Sequence, residues 1–237
     1  MPKQLVVFPW LVFLLVACGP DEQLPPAPAN SATPGTAWTR IVPQAHPPLA
    51  PDTSFIHTES RYVGPDGQTA LLQNSFPKGG SYIEPGGEVG YTAPDGTRYS
   101  LGIFWTRVVN NGSRPLTLTV NFSADSVALG GGQGFYRLYL PTDTMTLAKR
   151  TQFNYGIRGL KTFLDDHWLH PTTVQRTLAA GEEHLFYAVL LLHAPDNGPI
   201  RTGLLAEADG ALRYRVQVEP FGERVFSAGR MAFLAEL

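Results

Sequence analysis

Leu116-Thr117-Leu118-Thr119-Val120-Asn121-Phe122 alternates apolar and polar side chains without a break. A period of two fits an extended strand with one dry face and one wet face, and fits no helix. The same alternation returns over Ala211-Leu212-Arg213-Tyr214-Arg215-Val216-Gln217-Val218-Glu219. Tyr99 to Val109 reads as a longer strand and Phe135 to Leu140 as a shorter one. His184 to Leu192 is apolar on both faces, which predicts a strand at the centre of its sheet. Asp66-Gly67, Asp95-Gly96 and Asp209-Gly210 punctuate these runs as turns, and Asn110-Asn111-Gly112-Ser113 breaks the chain before Leu116. Twenty-four glycines and 21 prolines supply the many turns that such a chain needs. One short helix is predicted, from Leu160 to Leu169 and ended by Pro171. The expected fold is all-β: an antiparallel β-sandwich with at most one short helix.

Residues 54–97 read as extra hairpins ahead of that core, with no linker between them, so 54–237 is expected to form one β-sandwich domain. Two longer segments carry a resemblance. Arg107 to Phe122 looks like the strand-turn-strand, with an Asn-Gly corner, of immunoglobulin-like and fibronectin-like sandwiches. Val174 to Leu192, with Leu178-Ala179-Ala180-Gly181-Glu182 turning the chain into a buried strand, looks like their later pair. The Cys…Trp…Cys pattern of antibody domains is missing, because the chain has a single cysteine. The resemblance therefore implies the architecture and nothing about a ligand.

That cysteine ends an apolar N-terminal stretch. Lys3 and the amino terminus give a short positive region, and Leu5 to Ala17 is apolar but too short for a bilayer, which needs about 20 residues. Leu15-Val16-Ala17-Cys18-Gly19 resembles the lipobox of bacterial lipoproteins. The resemblance implies that residues 1–17 are a signal peptide, that cleavage falls before Cys18, and that a diacylglycerol is thioether-linked to Cys18. Each buried methylene contributes about 0.8 kcal/mol, so two or more chains hold a protein stably on a membrane. In that family an Asp after the cysteine retains the protein at the inner membrane. Gly19 stands there instead, which implies an outer-membrane location. From Cys18 to residue 53 the chain reads as a tether. Nine prolines lie between Pro20 and Pro51 with few large apolar residues among them, a composition that favours polyproline II over a packed core. At about 3.1 Å per residue the tether reaches roughly 100 Å.

Residues able to carry chemistry are sparse. In one helical turn His167 and His170 share a face, and with Asp166 they make a candidate metal site, although the zinc-protease pattern with its intervening glutamate is absent. Trp105 and Trp168 are candidate ligand-binding aromatics of the kind that stack on sugars, and Tyr136, near the glycine-rich loop at 130–134, is a further candidate ligand-binding residue. Gly130-Gly131-Gly132-Gln133-Gly134 lacks the Lys-Ser/Thr of a phosphate loop and reads as a β-loop that rims a site. Glu182-Glu183 are neighbours in a predicted turn and read as solvated charges, and no Gly-x-Ser-x-Gly elbow is present. No motif implies a cofactor. A formal charge of −2, without a basic patch, argues against a nucleic-acid partner. The sequence thus points to a cell-envelope lipoprotein held in the membrane through Cys18, whose β-sandwich is a non-catalytic module for a protein or envelope polysaccharide partner. A carbohydrate-binding surface lipoprotein is the alternative, and a metal-assisted hydrolase using His167 and His170 the third reading.

Overall fold

The computed structural model describes residues 53–64, 66–80, 87, 90–132, 134–195 and 198–235. The lipobox, Cys18 and the tether up to Asp52 lie outside these residues. In chain order the strands are β1 (Ile56–Val63), β2 (Thr69–Ser75), β3 (Lys78–Gly80), β4 (Tyr91–Thr92), β5 (Arg98–Asn110), β6 (Leu116–Phe122), β7 (Val127–Ala128) and β8 (Phe135–Tyr139). After the helix α1 (Leu160–Asp166) come β9 (Thr172–Leu178), β10 (Glu183–His193), β11 (Ile200–Ala206), β12 (Ala211–Val218) and β13 (Gly222–Phe233). They form two antiparallel sheets. The first runs β1-β2-β5-β10-β8-β7, with β3 and β4 also pairing with β5, and the second runs β11-β12-β13-β6-β9. The expected all-β sandwich is what the chain folds into. The N-terminal hairpins are continuous with it, because β2 pairs with β5 from Ala70↔Asn110 to Asn74↔Thr106.

Both strand-turn-strand segments cross from one sheet to the other. β5 and β10 pair in the first sheet while β6 and β9, which follow and precede them, pair in the second. The two corners are stitched by Asn110. Its buried side-chain Nδ2 donates to the carbonyls of Arg114 (2.8 Å), Leu178 (3.0 Å) and Ala179 (3.0 Å), and its Oδ1 accepts from Gly112 N (2.9 Å). The Asn-Gly pair therefore serves as a sheet-to-sheet corner, and Gly112 does not need the positive φ of a hairpin turn. Its lack of a side chain matters for space: a Cβ there would lie 2.4 Å from Gln68 Oε1. A second amide clip joins the sheets at Asn74. It donates to Leu204 O (3.1 Å) and Thr58 Oγ1 (3.0 Å), and accepts from Leu204 N (2.9 Å) and Thr106 Oγ1 (2.9 Å). Asn74 thus pairs with the β11 backbone as another peptide group would, which satisfies buried polar groups on both partners.

The first sheet is covered on both faces. On one side Leu72, Phe104, Val108, Phe186, Ala188 and Leu190 pack against Leu116, Leu118, Val120, Leu212, Tyr214 and Val216 of the second sheet. On the other side Leu101, Ile103, Trp105, Tyr187, Val189 and Leu191 pack under Met145, Tyr155, Leu160, Leu164 and Trp168. This outer layer is the β8–β9 connection, built from two 3₁₀ turns (Leu147–Lys149 and Phe153–Gly156) and α1. It explains why β10 is buried from Leu185 to Leu192 without alternation. α1 ends at Asp166, earlier than the sequence pattern predicts. Leu169 adopts a left-handed φ of 67°, and Pro171 disfavours helical backbone at His170. In β13 a register shift opposite Leu212/Arg213 is made possible by Gly229 at φ 129°, where a Cβ would lie 2.0 Å from Thr119 O.

Candidate functional site

A cleft opens where the inter-sheet core reaches the surface, and it follows from side-chain size along β5. On the side of β5 that faces the second sheet, Val108, Thr106 and Phe104 give way to Gly102 and Ser100. Gly102 accommodates the Phe104 ring, which would lie 2.9 Å from a Cβ built there, and leaves Ile200 of β11 opposite bare backbone. The result is a cleft of about 680 Å³ whose walls include Ser100, Gly102, Leu192, Ala194 and Ile200. Leu192, in this lining, is itself buried.

Lys78, Arg98 and His193 line the cleft, and no carboxylate does so among the described residues. Lys78 is held by its surroundings: Nζ donates to Arg150 O (2.7 Å) and Gln152 O (2.8 Å) and lies over the rings of Phe55 (5.3 Å) and Tyr155 (4.5 Å). Burial pulls its pKa below the ordinary lysine value. His193 Nδ1 donates to Arg98 O (3.0 Å), which leaves Nε2 as the second ring nitrogen, and the imidazole packs on Phe135 (centroids 5.1 Å apart) and the edge of Tyr99 (5.9 Å). The Lys78 ammonium and the His193 imidazole thus turn towards the outer layer, and an apolar wall with Arg98 at its edge suits a ligand segment with apolar surface. The signal in the sequence was small: Ser100 and Gly102 are the small residues that alternate within an otherwise bulky strand.

The residues singled out from the sequence lie elsewhere. His167 and His170 do not share a helical face, since α1 stops at Asp166 and His170 follows the left-handed Leu169. His167 Nδ1 donates to Phe163 O (2.9 Å) and its ring stacks on Phe163 at 4.2 Å. Among the described residues no group of three His, Cys, Asp or Glu side chains is placed to hold a metal, so Asp166, His167 and His170 do not form the expected centre. The aromatic expectation also needs correction. Trp105 and Tyr136 are each 1 % exposed and Trp168 is 9 % exposed. Tyr136 belongs to the inter-sheet core, while Trp105 and Trp168 belong to the outer core. Burial pushes the Tyr136 hydroxyl up to about 12. Arg137 lies 4.8 Å over the Trp168 ring, and Tyr155 meets Trp105 edge-on. The reason is the outer layer: a sheet covered on both faces has two dry sides to fill, and these rings fill them. Gly130–Gly132 forms a 3₁₀ turn next to β8, away from the cleft lining. Glu182 accepts from Ala179 N (2.8 Å) and Glu183 pairs with Arg107, so this pair performs structural work at the β9–β10 corner.

No protein-family model matches this chain, and no curated protein sequence matches it. Among solved structures, the apo PCuAC domain from PmoF1 is similar over 73 % of this chain and 99 % of that chain, with 21 % sequence identity and a TM-score of 0.20. At that identity and TM-score the likeness identifies neither a site nor a ligand in this chain.

Proposed function

We propose that this protein is a cell-envelope binding module: a β-sandwich carried on a lipidated Cys18 and a proline-rich tether, which takes a segment of an envelope partner into the cleft between β5 and β11 without chemical transformation. The observation that carries the reading is the cleft itself, an opening of about 680 Å³ lined by Ser100, Gly102, Leu192, Ala194 and Ile200, with Arg98 also in its lining. The lipobox resemblance supports an outer-membrane location, and a tether of that length would give the domain a reach of roughly 100 Å. The partner is a protein or polymer segment that presents apolar surface. Stacking of sugars on Trp105, Tyr136 and Trp168 is not part of the proposal, because those rings are buried. The test is a photo-crosslinking residue placed at Ser100 in intact cells, with a second at exposed Ala180 as reference. The Ser100 probe traps one discrete partner, the Ala180 probe does not, and Ala194→Trp, which fills the cleft, abolishes the product. A Ser100 probe as silent as the Ala180 probe, or a product indifferent to Ala194→Trp, removes the cleft from the function.

A further inference from the structure

Two of the six large apolar side chains that stand exposed among the described residues lie together: Phe76 (38 % exposed) and Phe153 (48 %). The contacts tie them together. Phe76 N donates to Phe55 O (3.0 Å), and the Phe76 ring packs on His57 at 5.1 Å. Phe153 opens the 3₁₀ turn whose Tyr155 hydroxyl donates to Phe76 O (2.7 Å). The charges lying over these rings are all positive. Lys78 and Arg150 cross Phe55 at 5.3 and 5.8 Å, and Arg201 crosses Phe76 at 5.4 Å. Arg201 and Arg215 are both near enough to His57 to act on its titration, and the carboxylate seen against this group is Glu223, 4.0 Å from Arg215. A mostly neutral protein thus gathers cations and exposed rings on one side.

The chain enters the domain on this same side. Thr53, the first described residue, accepts from Ile56 N (2.9 Å), and Phe55 follows two positions later. The 52 residues that precede it include Cys18. If that cysteine carries lipid, as proposed above, the domain is tied to a bilayer from the edge of this patch. Exposed aromatic side chains beside arginine and lysine suit the headgroup region of a membrane that carries negative lipid. There the rings enter the acyl boundary and the cations meet phosphate.

We propose that the face built from Phe55, Phe76 and Phe153, with Lys78, Arg150, Arg201 and Arg215, docks the domain on the surface of an anionic bilayer. The proposal rests on the lipid-anchor reading only for proximity. Cations near an anionic surface are each worth about fivefold in partitioning at moderate salt. Loss of two arginines therefore shifts the docked-to-free ratio about 25-fold towards free.

The test uses the full lipidated chain in vesicles of phosphatidylcholine with or without phosphatidylglycerol. With Cys18 lipidated, a cysteine introduced at exposed Thr151, between Arg150 and Phe153, is the one free thiol for an environment-sensitive dye. Ala180→Cys, exposed in the β9–β10 corner, provides the reference. The Thr151 dye turns apolar and escapes an aqueous quencher only when phosphatidylglycerol is present. High salt reverses the change by shortening the screening length to about 3 Å at 1 M. Arg150→Gln with Arg201→Gln abolishes it, and Phe153→Ser, at a side chain already half in water, weakens it without a cost in folding. Co-sedimentation with both vesicle types but an indifferent Thr151 dye overturns the docking face and leaves the anchor standing. A response to phosphatidylcholine alone, or one shared by the Ala180 dye, also overturns it. A chain that carries two dyes and does not co-sediment with phosphatidylcholine overturns the anchor, and its Thr151 response to phosphatidylglycerol still decides the face. Response to anionic polymer in place of anionic vesicles would reassign the face to a soluble partner.

Discussion

Replacement of Asn74 by leucine removes the amide that joins the two sheets while keeping nearly the same shape. Asn74 is 3 % exposed and makes four hydrogen bonds. Two of them hold the N–H and C=O of Leu204, a residue with no exposed surface. In Asn74→Leu both backbone groups lose their partner. Each buried polar group left unsatisfied costs about 1–3 kcal/mol, and the added apolar burial of leucine returns part of that. The Thr58 and Thr106 hydroxyls rotate and add little. A net loss of about 2–4 kcal/mol follows, which for a domain of this size is a fall in Tm of roughly 5–15 °C. Thr106→Val provides the internal standard. It takes away one hydrogen bond to Asn74 Oδ1, which still accepts from Leu204 N, and so costs only about 1 kcal/mol. Thermal unfolding followed by circular dichroism, with urea titration to check that the slope is unchanged, reads both. The consequence extends to the site, because β11 carries Ile200 of the cleft wall and Arg201 of the cationic face. If Asn74→Leu destabilises no more than Thr106→Val, the amide is not what holds β11 to the first sheet and the reasoning fails.

Two further outcomes follow from titratable and hydroxyl groups. His57 and His184 are both held below the ordinary imidazole range, His57 by burial and then by Arg201 and Arg215, and His184 by burial and Arg176 against an opposing Glu182. A base whose folded pKa is depressed binds its proton more readily when unfolded. Their contribution is therefore present above the unfolded value of about 6.5 and is lost as pH falls through the folded values. The urea midpoint drops between about pH 7.5 and about 5.5, and His184→Gln makes the drop shallower; an unchanged pH profile in that variant counts against the assignment. Tyr187→Phe strips the hydroxyl that donates to Tyr155 O at 2.7 Å inside the outer core and costs about 1–2 kcal/mol. Because Asn154 and Tyr155 both hold positive φ, hydrogen exchange in the Phe153–Gly156 turn accelerates more than in β12, and equal protection of the two would contradict that role.

The strands were legible where one face is wet or both are dry. β6 appears with the predicted limits because Thr117, Thr119 and Asn121 alternate against Leu116, Leu118, Val120 and Phe122, and β10 because nothing polar interrupts it between Leu185 and Leu192. The outer layer was not legible. Its turns and short helix carry too few periodic apolar residues to announce that Leu160, Leu164 and Trp168 cover a sheet. Without it, Trp105 and Trp168 read as rings free to stack on a ligand. The clip at Asn74 was equally silent, since a buried amide looks like any asparagine until its partner 130 residues away is known. The cleft is a property of what Gly102 and Ser100 lack, and the cationic face assembles from Phe55, Phe76, Arg150 and Arg201, which belong to four separate stretches of chain.

The placement of the whole protein at the envelope is tested most directly by intact mass analysis of the mature chain recovered from bacterial membranes. The account predicts a first residue at Cys18 carrying the mass of a thioether-linked diacylglycerol, and loss of that mass together with membrane recovery in Cys18→Ala. A mature chain that begins elsewhere, or an unmodified Cys18 thiol, would contradict it.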